Sequence, residues 1–158
     1  MISSRSGGDN FMKYSTKLSD AIHLLAFIYI NPKDDLSSST IAVSIRTSPS
    51  YVRQFMMSLR KAGLLHSSQG QATPTLAKAP EHITLFDVYK AIEGDKPLLH
   101  LDTNINPKCN VGINIHYSLR DYYNRIQKAA EAEMKQITLK NIIDDFYERS
   151  NGQKINWD

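Results

Sequence analysis

Residues 47–54, Thr47-Ser48-Pro49-Ser50-Tyr51-Val52-Arg53-Gln54, decide how the chain is read. Ser48 offers a side-chain oxygen to the free N–H groups of a helix start, and Pro49 suits the first helical position because it has no N–H to satisfy. The run continues to Ala62 and meets Gly63, a residue that accepts the left-handed turn closing many helices. On a helical wheel Val52, Phe55, Met56 and Leu59 share one face, while Ser50, Gln54, Met57 and Lys61 point away, flanked by Arg53 and Arg60. A polar, cationic face at a helix start is what a recognition helix presents to base edges in a major groove. An ordinary amphipathic surface helix has the same inner face, so the neighbouring segments have to decide.

Upstream, Ser37-Ser38-Ser39 supplies capping hydroxyls for a short helix that turns Ile41, Ala42 and Ile45 inward and stops near Arg46-Thr47. Two short helices joined by a tight turn form a helix-turn-helix. Before it, Leu18, Ala21, Ile22, Leu25 and Ile28 recur at helical spacing, Leu24 and Phe27 add a second apolar face, and Asn31-Pro32 ends the helix. Downstream, residues 64–68 read as a strand, 69–72 as its turn and 73–78 as the return strand, which makes the hairpin a wing. Thr84 then caps a helix running to Gly94, and 95–108 reads as loop.

From Cys109 or Asn110 a helix of about 27 residues, roughly 40 Å long, extends to about Gln136. Its apolar stripe has too little partner surface within so small a chain. Ile115, Leu119, Tyr122, Ile126 and Ala130 are therefore expected to form the seam of a homodimer. Thr138 caps a last helix carrying Leu139, Ile142, Ile143 and Phe146. The fold class is mostly α: a winged helix-turn-helix with a small β-hairpin wing and a long C-terminal dimerisation helix. Residues 1–11 read as a flexible tail, native or appended, 12–94 as the DNA-binding domain, 95–108 as loop, 109–150 as the dimerisation and terminal helices, and 151–158 as a loose tail.

Composition narrows the function. The chain has 158 residues, 41% of them apolar and 22% charged, which suits one globular unit. No apolar run approaches the ~20 residues needed to span a bilayer and no secretory leader is legible, so a cytoplasmic protein without membrane contact is expected. The net charge of +3 is unevenly spread. Residues 12–80 hold eight basic side chains against three acidic ones, and residues 81–158 hold ten against twelve. A cationic head on an anionic body fits a polyanion partner. The histidines, His23, His66, His82, His100 and His116, fall in five separate segments, and no metalloprotease or phosphate-loop pattern is present. Asp34-Asp35 and Asp144-Asp145 are adjacent pairs whose side chains diverge. No enzyme activity, metal or cofactor is expected, and the single cysteine, Cys109, excludes an internal disulfide.

The order and spacing of several short motifs resemble the Rrf-two family of bacterial winged-helix regulators, which includes IscR, NsrR and CymR. These are Met12-Lys13-Tyr14-Ser15-Thr16-Lys17, Ile41-Ala42, Ser48-Pro49-Ser50-Tyr51-Val52-Arg53-Gln54 and Leu59-Arg60-Lys61-Ala62-Gly63-Leu64. Leu76-Ala77-Lys78, the run Ile83-Thr84-Leu85-Phe86-Asp87-Val88-Tyr89-Lys90-Ala91-Ile92-Glu93-Gly94 and Ile137-Thr138-Leu139 complete the set. The resemblance implies a homodimeric repressor on a palindromic operator in double-stranded DNA. Ser48, Ser50, Arg53, Gln54, Lys61 and Gln69 would contact DNA, and Tyr51 would touch phosphate or pack beneath it.

Three departures refine this. Cluster-binding members carry three cysteines before the long helix, whereas Cys109 stands alone here, so no iron–sulfur cluster is expected. The wing sequence Ser68-Gln69-Gly70-Gln71-Ala72-Thr73-Pro74-Thr75 lacks the family's arginine and glycine run, and a neutral Gln69 implies weaker wing contacts. Arg53 stands where many relatives have glutamate, and arginine bridges guanine O6 and N7, so the operator should differ. The loop Asn106-Pro107-Lys108-Cys109-Asn110-Val111-Gly112 resembles the single-cysteine YwnA and HypR branch, in which this thiol is implicated in redox sensing. A helix start beside a lysine suits a reactive thiol, so Cys109 is the candidate switch. Alternatives are an unidentified small-molecule effector held near Tyr89, Tyr122 and Tyr123, a protein effector, or a dimeric protein-binding adaptor that does not bind DNA.

Overall fold

A computed structural model of the chain describes residues 15–66 and 73–151. Helices α1 (Lys17–Ile30), α2 (Ser38–Ile45) and α3 (Pro49–Lys61) come first, followed by strands β1 (Leu65–His66) and β2 (Thr75–Leu76). A 3-10 turn at Pro80–His82 leads into α4 (Leu85–Glu93), α5 (Asn110–Met134) and α6 (Leu139–Ser150). The expected element order holds throughout, so the fold is a mostly helical winged helix-turn-helix. The antiparallel strands pair Leu65 with Leu76 and His66 with Thr75. Among the described residues this ladder is shorter than the sequence suggested, the return strand covering 75–76 rather than 73–78. The tip, Gln69 included, lies outside the described residues.

The helix boundaries follow from local hydrogen-bond chemistry. Ser37 Oγ accepts from Thr40 N, Ser48 Oγ from Tyr51 N, and Thr84 and Thr138 each close a reciprocal capping box. At the end of α3, Leu64 N donates to the Leu59 carbonyl and Gly63 N to that of Arg60, both at 2.9 Å. Gly63 takes φ 71°, and Leu59 and Leu64 are both buried, so the helix stop also points the chain into β1. The turn between α2 and α3 repeats that bond pair: Thr47 N donates to Ala42 O at 2.9 Å and Arg46 N to Val43 O at 3.2 Å. There the left-handed residue is Arg46, φ 58°, a side chain that the position disfavours.

One core fills the head. Ala21, Leu24, Leu25 and Ile28 of α1 meet Ile41 and Ala42 of α2, and Val52, Phe55, Met56 and Leu59 of α3. The sequence order groups α6 with α5, but the packing does not. Leu85 N donates to Ile137 O and Leu139 N to Ile83 O, at 2.9 and 2.8 Å, bridging the starts of α4 and α6. This returns α6 to the head, where Leu139 and Ile143 complete the core. Helix α5, twenty-five residues long, buries no residue. Among the described residues, no helix is long and apolar enough to cross a membrane.

Candidate nucleic-acid interface

The core-facing side of α3 is buried at Val52, Phe55, Met56 and Leu59, which leaves Ser50, Arg53, Gln54 and Lys61 exposed, as the wheel required, and the capping Ser48 is exposed beside them. Ser48, Ser50, Arg53 and Gln54 occupy the start and first two turns. Lys61 stands about 16 Å further along the axis from Ser50, at 1.5 Å per residue, so it meets a different part of any duplex. No acidic residue sits in the first turn of α3, and its last turn carries Arg60 and Lys61. The Arg53 guanidinium is held: Nη1 donates to Ser38 Oγ of α2 at 3.0 Å. Tyr51 is half-buried, with its ring edge-to-face on Phe55 at 4.4 Å between centroids. Desolvation first, and then the carboxylates of Asp20 and Glu93, push its phenol above the usual tyrosine range, so it stays a protonated donor. Its ring packs against the core beneath the exposed row.

Two residues of this face lay beyond sequence reasoning. Ser38 reads there as one capping hydroxyl in a serine run, and only the fold brings it to Arg53. Arg46 reads as a helix end, and only its positive φ, the one non-glycine case among the described residues, marks the turn as a site where an exposed cation is held at a conformational cost.

Four of the five proposed seam residues are exposed. Ile115 is 55% exposed, Tyr122 58% and Ile126 49%; Leu119 is also exposed and Ala130 half-buried. Val111, at 69%, extends this face to the start of α5. Cys109 caps α5, is exposed, and its Sγ accepts from Gly112 N at 3.5 Å. The loop before it is tied to the head through Gln127. That side chain accepts from Leu98 N at 2.9 Å and donates to the Tyr89 hydroxyl at 3.3 Å, while Tyr89 donates to the Lys96 carbonyl. Tyr89 is thus a buried structural residue and Tyr122 faces solvent. A groove of about 870 Å³ lies elsewhere, at the wing root, lined by Tyr29, Leu36, Pro74, Leu76, Pro80 and Tyr147 among others.

Known proteins resemble this chain in sequence and in fold. The model of the Rrf2 family, described as an iron-dependent transcriptional regulator, matches residues 14–145. YwnA of Bacillus subtilis, provisionally named an HTH-type transcriptional regulator, is 35% identical over 133 residues, covering 84% of this chain and 98% of YwnA. A crystal structure provisionally described as a DNA-binding protein superimposes with a TM-score of 0.66 at 34% identity, covering 81% of this chain and 99% of its own. T. potens IscR shares the fold, with a TM-score of 0.65 at 23% identity over 93% of this chain and 97% of its own. The iron in the family description does not suit the donor set here. Clusters are held by thiolates, the chain has one cysteine, and no three His, Cys, Asp or Glu side chains among the described residues are grouped to hold a metal ion. These relatives are regulators rather than enzymes, and the chain belongs to the Rrf2 family of transcriptional regulators.

Proposed function

We propose that the protein is a homodimeric repressor that binds a palindromic operator and releases it when Cys109 is oxidised. The observation that carries the DNA reading is the uncovered start of α3, where Ser48, Ser50, Arg53 and Gln54 stand exposed on a helix free of first-turn acids. Two such helices would enter successive major grooves about 34 Å apart, with Lys61 on a phosphate and Gln69 adding a weak, neutral wing contact. The bare face of Ile115, Leu119, Tyr122 and Ile126, with half-buried Ala130 beyond it, supports pairing of two copies through α5. Exposure of Cys109 at the start of that helix supports the switch. A hydroperoxide would supply the oxidant: the sulfur attacks the O–O bond, a sulfenic acid forms, and water or an alcohol leaves. Through Gln127 and Tyr89, a change at this loop would reach α4 and the head.

Selection of bound sequences from a random duplex pool, run reduced and oxidised, tests all three parts. The expected product is a two-fold symmetric site whose half-sites lie one helical turn apart, with oxidation lowering its recovery. Cys109→Ser should abolish that response, and an oxidant response that persists in the variant refutes the thiol switch. Affinity should fall steeply with salt, with a log–log slope of about −0.9 per phosphate neutralised. A flat dependence would favour a protein-binding adaptor.

A further inference from the structure

The exposed face of the head carries a contact between residues fifteen positions apart, Arg53 Nη1 to Ser38 Oγ. A long cation free in solvent samples many rotamers, and a reader that DNA must first order loses both affinity and selectivity. Arg53 is spared part of that ordering because Ser38 is itself fixed. Ser38 is the first residue of α2 and is half-buried, and the turn before it is fastened by a small network. Asp35 accepts from Ser37 N and from Ser37 Oγ, each at 3.0 Å, and also from Thr40 Oγ1. Ser37 Oγ in turn accepts from Thr40 N at 3.3 Å. A continuous chain of held groups therefore runs from Asp35 through the start of α2 to the guanidinium on α3.

We infer that Ser38 is a positioning residue for base recognition: its hydroxyl takes one Nη1–H of Arg53 and aims the remaining guanidinium donors at a single base edge. A guanidinium has five N–H donors in a rigid fork, so one can be held by Ser38 while two others reach O6 and N7 of a guanine. The inference rests on the reading that α3 lies in a major groove. It predicts a division of labour. The charge of Arg53 supplies attraction to any duplex, and Ser38 supplies none of it. Removing the hydroxyl should therefore blur the choice of base without weakening non-specific binding.

The test binds the full chain to a duplex it selects from a random pool, to every single-base variant of that duplex, and to an unselected duplex. R53A should lower discrimination at one base pair by about tenfold. S38A should lower it at the same base pair by about three- to tenfold, while its affinity for the unselected duplex stays within about twofold and its salt slope is unchanged. S38T, which keeps the hydroxyl, should restore discrimination, and S38A should add nothing in the R53A background. Full discrimination in S38A while R53A loses it overturns the inference. So does an equal loss on every duplex, which would reduce Ser38 to a helix-start residue, and so do additive losses in the double variant. If R53A loses no base preference, the recognition role of Arg53 falls, and this inference with it.

Discussion

Helix α1 and helix α5 both read as apolar helices, yet they do opposite things. Helix α1 buries Ala21, Leu24, Leu25 and Ile28 in fourteen residues, and α5 buries none in twenty-five. The first is held by its own chain on several sides. The second lies mainly against α4, with Gln127 on Tyr89 and the Lys135 ammonium 4.5 Å over the Phe86 ring. A helix gains most of its stability from burying a face. The head can thus be stable within one chain, whereas α5 calls for a second surface.

The largest expected effect breaks the head alone. Leu24→Ala deletes a fully buried side chain and should cost about 3 kcal/mol in chemical denaturation, because the surrounding core closes only partly over the cavity. If it costs under ~1 kcal/mol, α1 is not the centre of the fold. Next comes a change that should spare the head. Ile126→Glu places a charge on the bare face of α5, and the proposed self-association should weaken by about 2 kcal/mol in sedimentation while the chain keeps its helical circular dichroism. An unaltered sedimentation profile would move the seam off this face. Arg46→Gly removes the unfavourable left-handed arginine and should raise head stability by about 1 kcal/mol, read as a higher denaturation midpoint.

The smallest effect contrasts the two helix starts. The carboxyl of Asp35 is held below the usual aspartate range, chiefly by the Thr40 hydroxyl and then by the Ser37 backbone and hydroxyl. A depressed folded-state pKa adds stability above the unfolded value and loses it as pH falls through the folded one. Protection of the amides at the start of α2, after correction for the intrinsic pH dependence of exchange, should therefore fall below about pH 4, and Asp35→Asn should flatten that dependence. The start of α5 is capped by the Cys109 Sγ contact to Gly112 N and has no carboxylate in its first turn, so its amides should show no such carboxylate-linked step.

Most of the fold was legible because its boundaries are local chemistry. Ser48, Thr84 and Thr138 each cap the helix that they precede, as their spacing to the following apolar residues implied, and Ser37 does so from the serine run; the cap by Cys109 is visible only in the structure. The exposed row of α3 was legible for the same reason, since helical periodicity fixes which residues share a face. The contact from Ser38 to Arg53 was not, because it joins two helices whose relative angle depends on the whole core. Nor was the strain at Arg46, since an arginine at a helix end looks ordinary until its φ is known.

What the residues by themselves determined is where each helix begins and ends and which side of it is apolar. Helices α5 and α6 show the limit of that information, being adjacent in the chain and both amphipathic. Their opposite fates come from the tertiary structure. The bridge between Thr84 and Thr138 turns α6 back so that Leu139 and Ile143 close the head, while α5 projects with Ile115, Tyr122 and Ile126 in the open. Periodicity is written within a few residues, but burial is a property of what the rest of the chain brings alongside.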